Sequence, residues 1–137
     1  WLFKSEPDTW SWDNQVAKGE TGEEWDGVRN YQARNFMREL SAGDRGFFYH
    51  AQYTREIVGI VEVYYKAHPD STTDDDRWEC VDIKAVKPVP NPVTLDDIKA
   101  TEALSDMVLV KNSRLSVQPV TEDEWALICK MGGVDGV

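Results

Sequence analysis

Residues 56–66 read EIVGIVEVYYK, and the apolar side chains of this stretch fall on both faces of an extended chain. A strand that alternates apolar and polar residues has one solvated face, whereas a strand that is apolar on both faces is buried on both sides. We therefore expect residues 56–66 to form a central strand of a β-sheet. Residues 45–50, RGFFYH, precede it by a short polar segment, which predicts a β-hairpin.

The segments around this hairpin predict an α+β fold. Residues 80–89 alternate apolar and polar side chains like a half-buried strand, and the prolines that follow predict an extended connector over residues 88–92. Residues 1–4 and 116–120 are the remaining strand candidates. We expect a curved mixed sheet of about five to six strands flanked by short helices, rather than a doubly wound sheet.

Helices are predicted where apolar residues recur every three to four positions. The clearest helix is expected over residues 31–40, where one apolar stripe is formed by Ala33, Phe36, Met37 and Leu40. Further helices are expected at residues 11–18, 94–100, 102–109 and 121–131, the last of which begins with a capping box. Residues 20–27 are predicted to form a loop.

Composition restricts the class of protein. A chain of 137 residues with 41% hydrophobic residues is the size of one domain. We expect neither a signal peptide nor a membrane span, because the start of the sequence is polar after Phe3 and no apolar run approaches the ~20 residues that span a bilayer. We therefore expect a soluble monomer in the cytoplasm, or in the nucleus of a eukaryote. Cys80 and Cys129 lack metal-ligand spacing, so we expect reduced thiols and no metal or other cofactor.

The charge of the chain is distributed unevenly. Fifteen Lys and Arg residues stand against 25 Asp and Glu residues, for a net charge of −10, which argues against a protein that coats nucleic acid electrostatically. Residues 28–66 nevertheless hold six basic against four acidic residues. The acidic runs at 20–26, 74–76 and 122–124 are expected to be solvated surface. A neutral or positive region between them is compatible with this pattern.

Residues 25–35 read WDGVRNYQARN and bring aromatic rings, amides and two arginines together around one turn. These side chains supply stacking surfaces and forked donors, which suit a planar polar ligand such as a nucleobase. Trp25 lies in an irregular segment, so its indole must either fill the core or form one wall of a pocket. Asn30 is an N-cap candidate, and the helix start between Arg29 and Arg34 favours a phosphate.

Five blocks of the sequence resemble, in order, the signature blocks of the EVE domain. They are WLFKSEP at 1–7, GVRNYQARN at 27–35, FFYH at 47–50, IVGIVEV at 57–63 and RLSVQPV at 114–120. The resemblance implies a PUA-like pseudo-barrel related to the YTH domain, with residues 1–137 as a single EVE domain. It also implies a pocket for a modified base flipped out of DNA or RNA, or for a free modified nucleoside. It implies no established catalytic activity.

The resemblance and the residue types together select the candidate ligand contacts. They are Lys4, Ser5, Trp25, Arg29, Asn30, Tyr31, Arg34, Asn35, His50 and Arg114. Comparison with the YTH domain implies that Trp25 is an aromatic wall of a base cage. The second wall is left open, with Trp78 as one candidate, because the segment between His68 and Trp78 is shorter and more acidic than in many relatives.

Several candidates have structural alternatives. Ser5 is equally suited to a turn bond with the backbone. His50 fits a hydrogen-bonded structural role or a neutral ligand contact. Arg114 fits a ligand contact or an ion pair with Glu62 or Glu6.

The sequence contains no phosphate-cradling Gly-rich loop, no nucleophile elbow and no Cys/His cluster at metal-ligand spacing. We therefore predict a non-enzymatic module that binds a modified base. Two alternatives stay open. One is a small PUA-like hydrolase that uses Lys4, Glu6 and Arg114. The other is a protein-interaction module that uses the acidic surface.

Overall fold

The computed structural model describes residues 1–112 and 114–135. The strands of this part of the chain are β1 (Leu2–Ser5), β2 (Glu23–Glu24), β3 (Arg45–His50), β4 (Glu56–Pro69), β5 (Glu79–Thr94) and β6 (Val117–Gln118). They form one six-stranded sheet in the order β2-β5-β4-β3-β1-β6. The β1–β3 pair is parallel and the other pairs are antiparallel. The predicted mixed α+β architecture is confirmed.

The prediction of a central strand at residues 56–66 is also confirmed. β4 lies between β3 and β5, and its neighbouring residues Ile60 and Val61 belong to hydrophobic cores on opposite sides. Register shifts interrupt the pairing of β4 with both neighbours. Because such irregularities bend a strand and increase its twist, the sheet curls into a half-barrel.

Short helices flank the sheet. They are α1 (Trp12–Ala17), α2 (Tyr31–Glu39), α3 (Leu95–Lys99), α4 (Val108–Lys111) and α5 (Glu122–Gly132). α2 begins after Asn30, whose side chain accepts a hydrogen bond from the N–H of Ala33. The predicted capping box between Thr121 and Glu124 starts α5. Within the described ranges, no helix is long and apolar enough to cross a membrane.

Three segments differ from the expectations. Glu23 and Glu24 form a strand instead of a loop, because they pair with Ile83 and Asp82 of β5. β5 continues to Thr94 through the prolines expected to form a connector. β2 pairs only with residues 82 and 83, so β5 is a sheet edge beyond that point, and an edge tolerates the missing N–H of proline. The helix expected at 102–109 is instead a 3₁₀ turn at 102–104, followed by α4.

The curled sheet separates two hydrophobic cores. One contains Phe3, Trp12, Trp25 and Phe48, and the other lies under α3, α4 and α5. In the first core the Trp12 ring packs directly on Gly59, where a β-carbon would lie 2.4 Å from the ring. Only glycine permits this contact. The rim of the first core, at the end of β1, holds the cavity described next.

Candidate functional site

A cavity of about 480 Å³ opens at one end of the sheet; we call it the main cavity. Its lining comes from the end of β1, the turn before α1, the loop that joins β2 to α2, and the segment before β6. The lining residues are Lys4, Ser5, Glu6, Thr9, Trp10, Glu23, Glu24, Trp25, Asp26, Gly27, Val28, Arg29, Asn30, Arg114 and Ser116. Six of the ten predicted contacts line it: Lys4, Ser5, Trp25, Arg29, Asn30 and Arg114.

Trp25 both fills the core and lines the cavity. Its ring is only 8% exposed and meets Phe3 at 5.4 Å and Phe48 at 5.8 Å, edge to face in both cases. Its backbone N–H donates to the carbonyl of Val81 at 2.8 Å. The two roles proposed from the sequence therefore coexist, since core packing fixes the ring that forms one wall of the cavity.

Trp10 also lines the main cavity, and it is not among the ligand contacts predicted from the sequence. Its indole N–H donates to Oε1 of Gln15 at 2.9 Å, and Gln15 is completely buried and donates to the carbonyl of Ile83. The Ser5 hydroxyl donates to the carbonyl of Trp10 at 2.5 Å. This is the predicted turn bond of Ser5, and it fixes the second tryptophan beside the cavity. The cue in the sequence was the proximity of Trp10 to the strand end at Lys4 and Ser5.

A buried carboxylate anchors the loop that carries Trp25. Asp70, whose side chain is fully buried, accepts hydrogen bonds from the backbone N–H of Gly27 at 2.9 Å and from Nη1 of Arg29 at 3.1 Å. Burial acts to raise the pKa of Asp70, but these bonds and those from Thr72 outweigh it and hold the pKa at about 2. Gly27 has a φ of +75°, a backbone conformation that residues with a β-carbon rarely adopt.

The cavity lining is rich in acceptors. It includes four carboxylates, those of Glu6, Glu23, Glu24 and Asp26. Burial, together with Asp70 and the neighbouring glutamates, raises the pKa of Asp26. Burial lowers the pKa of Lys4, and Arg55 adds to this effect, while Glu6 opposes it. The cavity therefore presents both anionic and cationic groups at its rim.

Next to the cavity lies an exposed cluster that we call the arginine–aromatic platform, formed by Tyr31, Arg34, Arg77 and Trp78. The rings of Tyr31 and Trp78 stack with centroids 4.9 Å apart. The Arg34 guanidinium lies 4.8 Å from the Tyr31 ring, and Nη1 of Arg77 donates to the Tyr31 hydroxyl at 3.3 Å. Arg29 lies 5.5 Å from the Trp78 ring and so borders both sites.

Four residues named in the sequence predictions belong to the platform or contact it. Tyr31 and Arg34 belong to it rather than to the cavity lining. Asn35 accepts a hydrogen bond from Nη2 of Arg34 at 2.9 Å and thereby orients that guanidinium. Trp78, the candidate for the second wall of a cage, stacks on Tyr31 and lies outside the main cavity lining.

His50 and Arg114 have different surroundings. Nε2 of His50 accepts the backbone N–H of Trp12 at 3.0 Å, and the ring meets Phe48 edge-on. Burial lowers the pKa of His50, and the residue lies outside the cavity lining, as its structural alternative predicts. Arg114 is exposed at the cavity. Glu62, one of its two predicted partners, pairs instead with Arg45 and Lys84.

Comparison with known proteins gives a consistent result. The family model of the EVE domain matches residues 1–131. Thymocyte nuclear protein 1 of Mus musculus is 32% identical over 96% of this chain and 72% of that protein. A crystal structure from Agrobacterium tumefaciens has a TM-score of 0.98 and 59% identity, covering 100% of this chain and 94% of that chain.

Human THYN1 protein has been crystallised in complex with 5-methylcytosine-containing DNA. That structure has a TM-score of 0.92 and 30% identity, covering 99% of this chain and 98% of that chain. A YTH domain of Zygosaccharomyces rouxii, at 18% identity and a TM-score of 0.57 over 96% of this chain and 84% of that chain, shares the fold.

Proposed function

We propose that this chain, which belongs to the EVE domain family, is a single EVE domain that binds a modified nucleobase of DNA or RNA, or a free modified nucleoside, without converting it. In this proposal the main cavity holds the base, and the arginine–aromatic platform contacts the strand beside it. Support from comparison comes from human THYN1 protein, whose structure was determined with 5-methylcytosine-containing DNA.

The observation that carries the proposal is the pairing of aromatic walls with polar groups in one cavity. Trp10 and Trp25 line a volume of about 480 Å³, which lies within the range of about 300–1,000 Å³ common for small-molecule sites. Base-binding proteins hold extruded bases by stacking on aromatic side chains and by hydrogen bonds to the base edges. Ser5, Asn30 and Arg114 are the side chains proposed for those edges.

The acceptor-rich lining favours bases that carry an amino group. Carboxylates accept hydrogen bonds from the exocyclic amine of cytosine, as they do from other N–H donors. Glu6 and Asp26 place such acceptors in the cavity. Modified cytosine or adenine is therefore the proposed class, and thymine or uracil, which present carbonyls at the corresponding positions, should bind less well.

The platform supports binding of the strand next to the base. Arg34 is half-buried and Arg77 is exposed, and contacts with Tyr31 hold both guanidinium groups in place at the surface of an acidic chain. Arginine donors are well suited to phosphate oxygens, which position a strand without reading its sequence. We infer that His50, whose Nε2 accepts the backbone N–H of Trp12, acts on the site by positioning α1.

The proposal is tested with a panel of oligonucleotides that differ only in one base: cytosine, 5-methylcytosine, adenine, N6-methyladenine and thymine, each in DNA and in RNA. Affinity is measured by fluorescence anisotropy, and the same samples are then analysed by mass spectrometry. We expect tighter binding of at least one modified amino-bearing base, with every oligonucleotide recovered unchanged. Equal affinity across the panel would contradict the proposal.

Hydrolysis of a nucleoside or amide substrate is the second candidate, because the cavity lining brings Lys4 and Glu6 together. Burial lowers the pKa of Lys4, which moves the amine towards the range useful for proton transfer. Mass spectrometry of the oligonucleotide and nucleoside samples detects this activity directly. Product that appears with the unmutated protein and disappears with Lys4→Ala would establish the hydrolase and displace the non-enzymatic proposal.

A further inference from the structure

The register of the sheet places four potential metal ligands side by side on three strands. Glu24 of β2 is the partner of Asp82 in β5, and His68 of β4 is the partner of Cys80 in β5. Cys80 and Asp82 are two residues apart on one strand, so their side chains point to the same face. The prediction that the cysteines serve no metal site rested on spacing along the chain, which does not reveal this arrangement.

The donor atoms of these residues form a compact group. One donor atom from each of the four lies within 4.8 Å of every other. Nε2 of His68 is 2.7 Å from Oδ1 of Asp82 and 4.0 Å from Sγ of Cys80, and Nδ1 of His68 is 3.9 Å from Oε1 of Glu24. The Ser71 hydroxyl donates to Oε2 of Glu24 and orients that carboxylate.

The four ligands differ in their burial. Cys80 is completely buried, whereas the side chains of Glu24, His68 and Asp82 are about one fifth exposed, at 23%, 21% and 18%. An ion can therefore approach from solvent past the three outer ligands and reach the thiol below them.

We propose that Glu24, His68, Cys80 and Asp82 form a Zn²⁺ site that links β2, β5 and β4. One sulfur, one imidazole nitrogen and two carboxylate oxygens are a donor set that Zn²⁺ accepts in tetrahedral geometry. Bond lengths of about 2.0–2.3 Å place neighbouring ligand atoms roughly 3.3–3.6 Å apart. The His68–Cys80 distance must shorten and the His68–Asp82 distance must lengthen by about half an ångström, which small side-chain rotations supply. The thiol proton is released to solvent on coordination.

The position of Glu24 connects this site to the main cavity. Glu24 lines the cavity and directly precedes Trp25. β2 has only two residues, Glu23 and Glu24, and pairs with β5 alone, so a metal bond to Glu24 would add a second attachment between this short strand and the rest of the sheet. Zinc is thus proposed as a structural ion that stabilises one cavity wall.

The test uses the full chain after treatment with a chelator and removal of the chelator. Co²⁺, a spectroscopic substitute for Zn²⁺, is titrated while absorbance is recorded in the near ultraviolet and visible ranges. We expect a thiolate-to-cobalt charge-transfer band at one equivalent, lost on addition of Zn²⁺. Zn²⁺ at about 100 times its Kd should raise the Tm by roughly 5–15 °C.

Matched variants assign the ligands. Cys80→Ser should abolish the charge-transfer band, and Cys129→Ser, which removes the other buried thiol, should leave it intact. His68→Gln should weaken Co²⁺ affinity at least tenfold. If Cys80→Ser does not fold, the affinity of His68→Gln tests the proposal instead. Absence of the band at millimolar Co²⁺, a band that survives Cys80→Ser, or undiminished affinity of His68→Gln would overturn the proposal. The oligonucleotide panel tests base binding separately, so failure of the zinc site and failure of base binding are distinguishable.

Discussion

The main cavity and the arginine–aromatic platform lie side by side, but they use aromatic rings in different ways. In the cavity, Trp25 is 8% exposed and held by Phe3 and Phe48. On the platform, Tyr31 is 51% exposed and holds guanidinium groups at the surface. The buried ring has one fixed orientation and suits discrimination between bases. The exposed cluster suits contacts to a backbone, which is the same for every base.

This difference implies that the two regions contribute separately to binding. Arg29 connects them, because it borders the platform at Trp78 and pairs with Asp70 beneath the cavity loop. Substitutions in the cavity should change the preference for the modified base, and substitutions on the platform should change the affinity for all strands alike.

The largest expected effect is that of Trp25→Ala, because the indole is part of the first core. We expect a loss of about 3–5 kcal/mol in the free energy of unfolding, measured by chemical denaturation. Trp125→Ala, in the second core, is the matched control for the loss of an indole. A Trp25→Ala protein with unchanged stability would show that the ring is not held by the core contacts.

Asp70→Ala should have the next largest effect, because it removes the buried acceptor for Gly27, Arg29 and Thr72. We expect a loss of about 2–3 kcal/mol in the free energy of unfolding. The binding preference for the modified base should also decrease as the loop that carries Trp25 loosens. Asp75→Ala removes a carboxylate that is 31% exposed and pairs with the exposed Arg77, and it should leave the Tm nearly unchanged.

Trp10→Ala and Trp78→Ala compare the two regions directly, because Trp10 lines the cavity whereas Trp78 belongs to the platform. We expect Trp10→Ala to weaken binding of the modified strand by about 1–3 kcal/mol through lost stacking and to reduce the preference over the unmodified strand. Trp78→Ala should retain that preference. If Trp78→Ala removed the preference and Trp10→Ala did not, the second wall would have been assigned to the wrong tryptophan.

These assignments show which features were accessible from sequence. The caps at Asn30 and Thr121 depend on residues within one helical turn, and both were predicted correctly. The apolar residues on both faces of residues 56–66 likewise predicted the central strand correctly. The roles of Trp10 and Trp78 depend on how distant loops pack, and no local pattern separates a ring that lines a cavity from one that stacks on a neighbour. The two-residue strand β2 depends on pairing with residues 82 and 83, which local propensity cannot reveal.

The smallest expected effect is that of Arg34→Ala. One half-buried arginine at the surface should contribute less than about 1 kcal/mol, and affinity should fall by the same factor for modified and unmodified strands. Arg38→Ala is the matched control, since Arg38 lies on the same helix but pairs with Glu79. A selective loss of binding to the modified strand would place Arg34 at the base rather than at the backbone.

The most direct test of the central claim is the salt dependence of affinity for two strands that differ only in one modified base. If one base in the main cavity supplies most of the affinity and only Arg34 and Arg77 of the platform reach phosphates, the log-log slope should be about −1 to −2. The modified strand should bind at least tenfold more tightly at every salt concentration. Equal affinity for both strands, or a slope steeper than about −5, would contradict the account and indicate binding through the backbone alone.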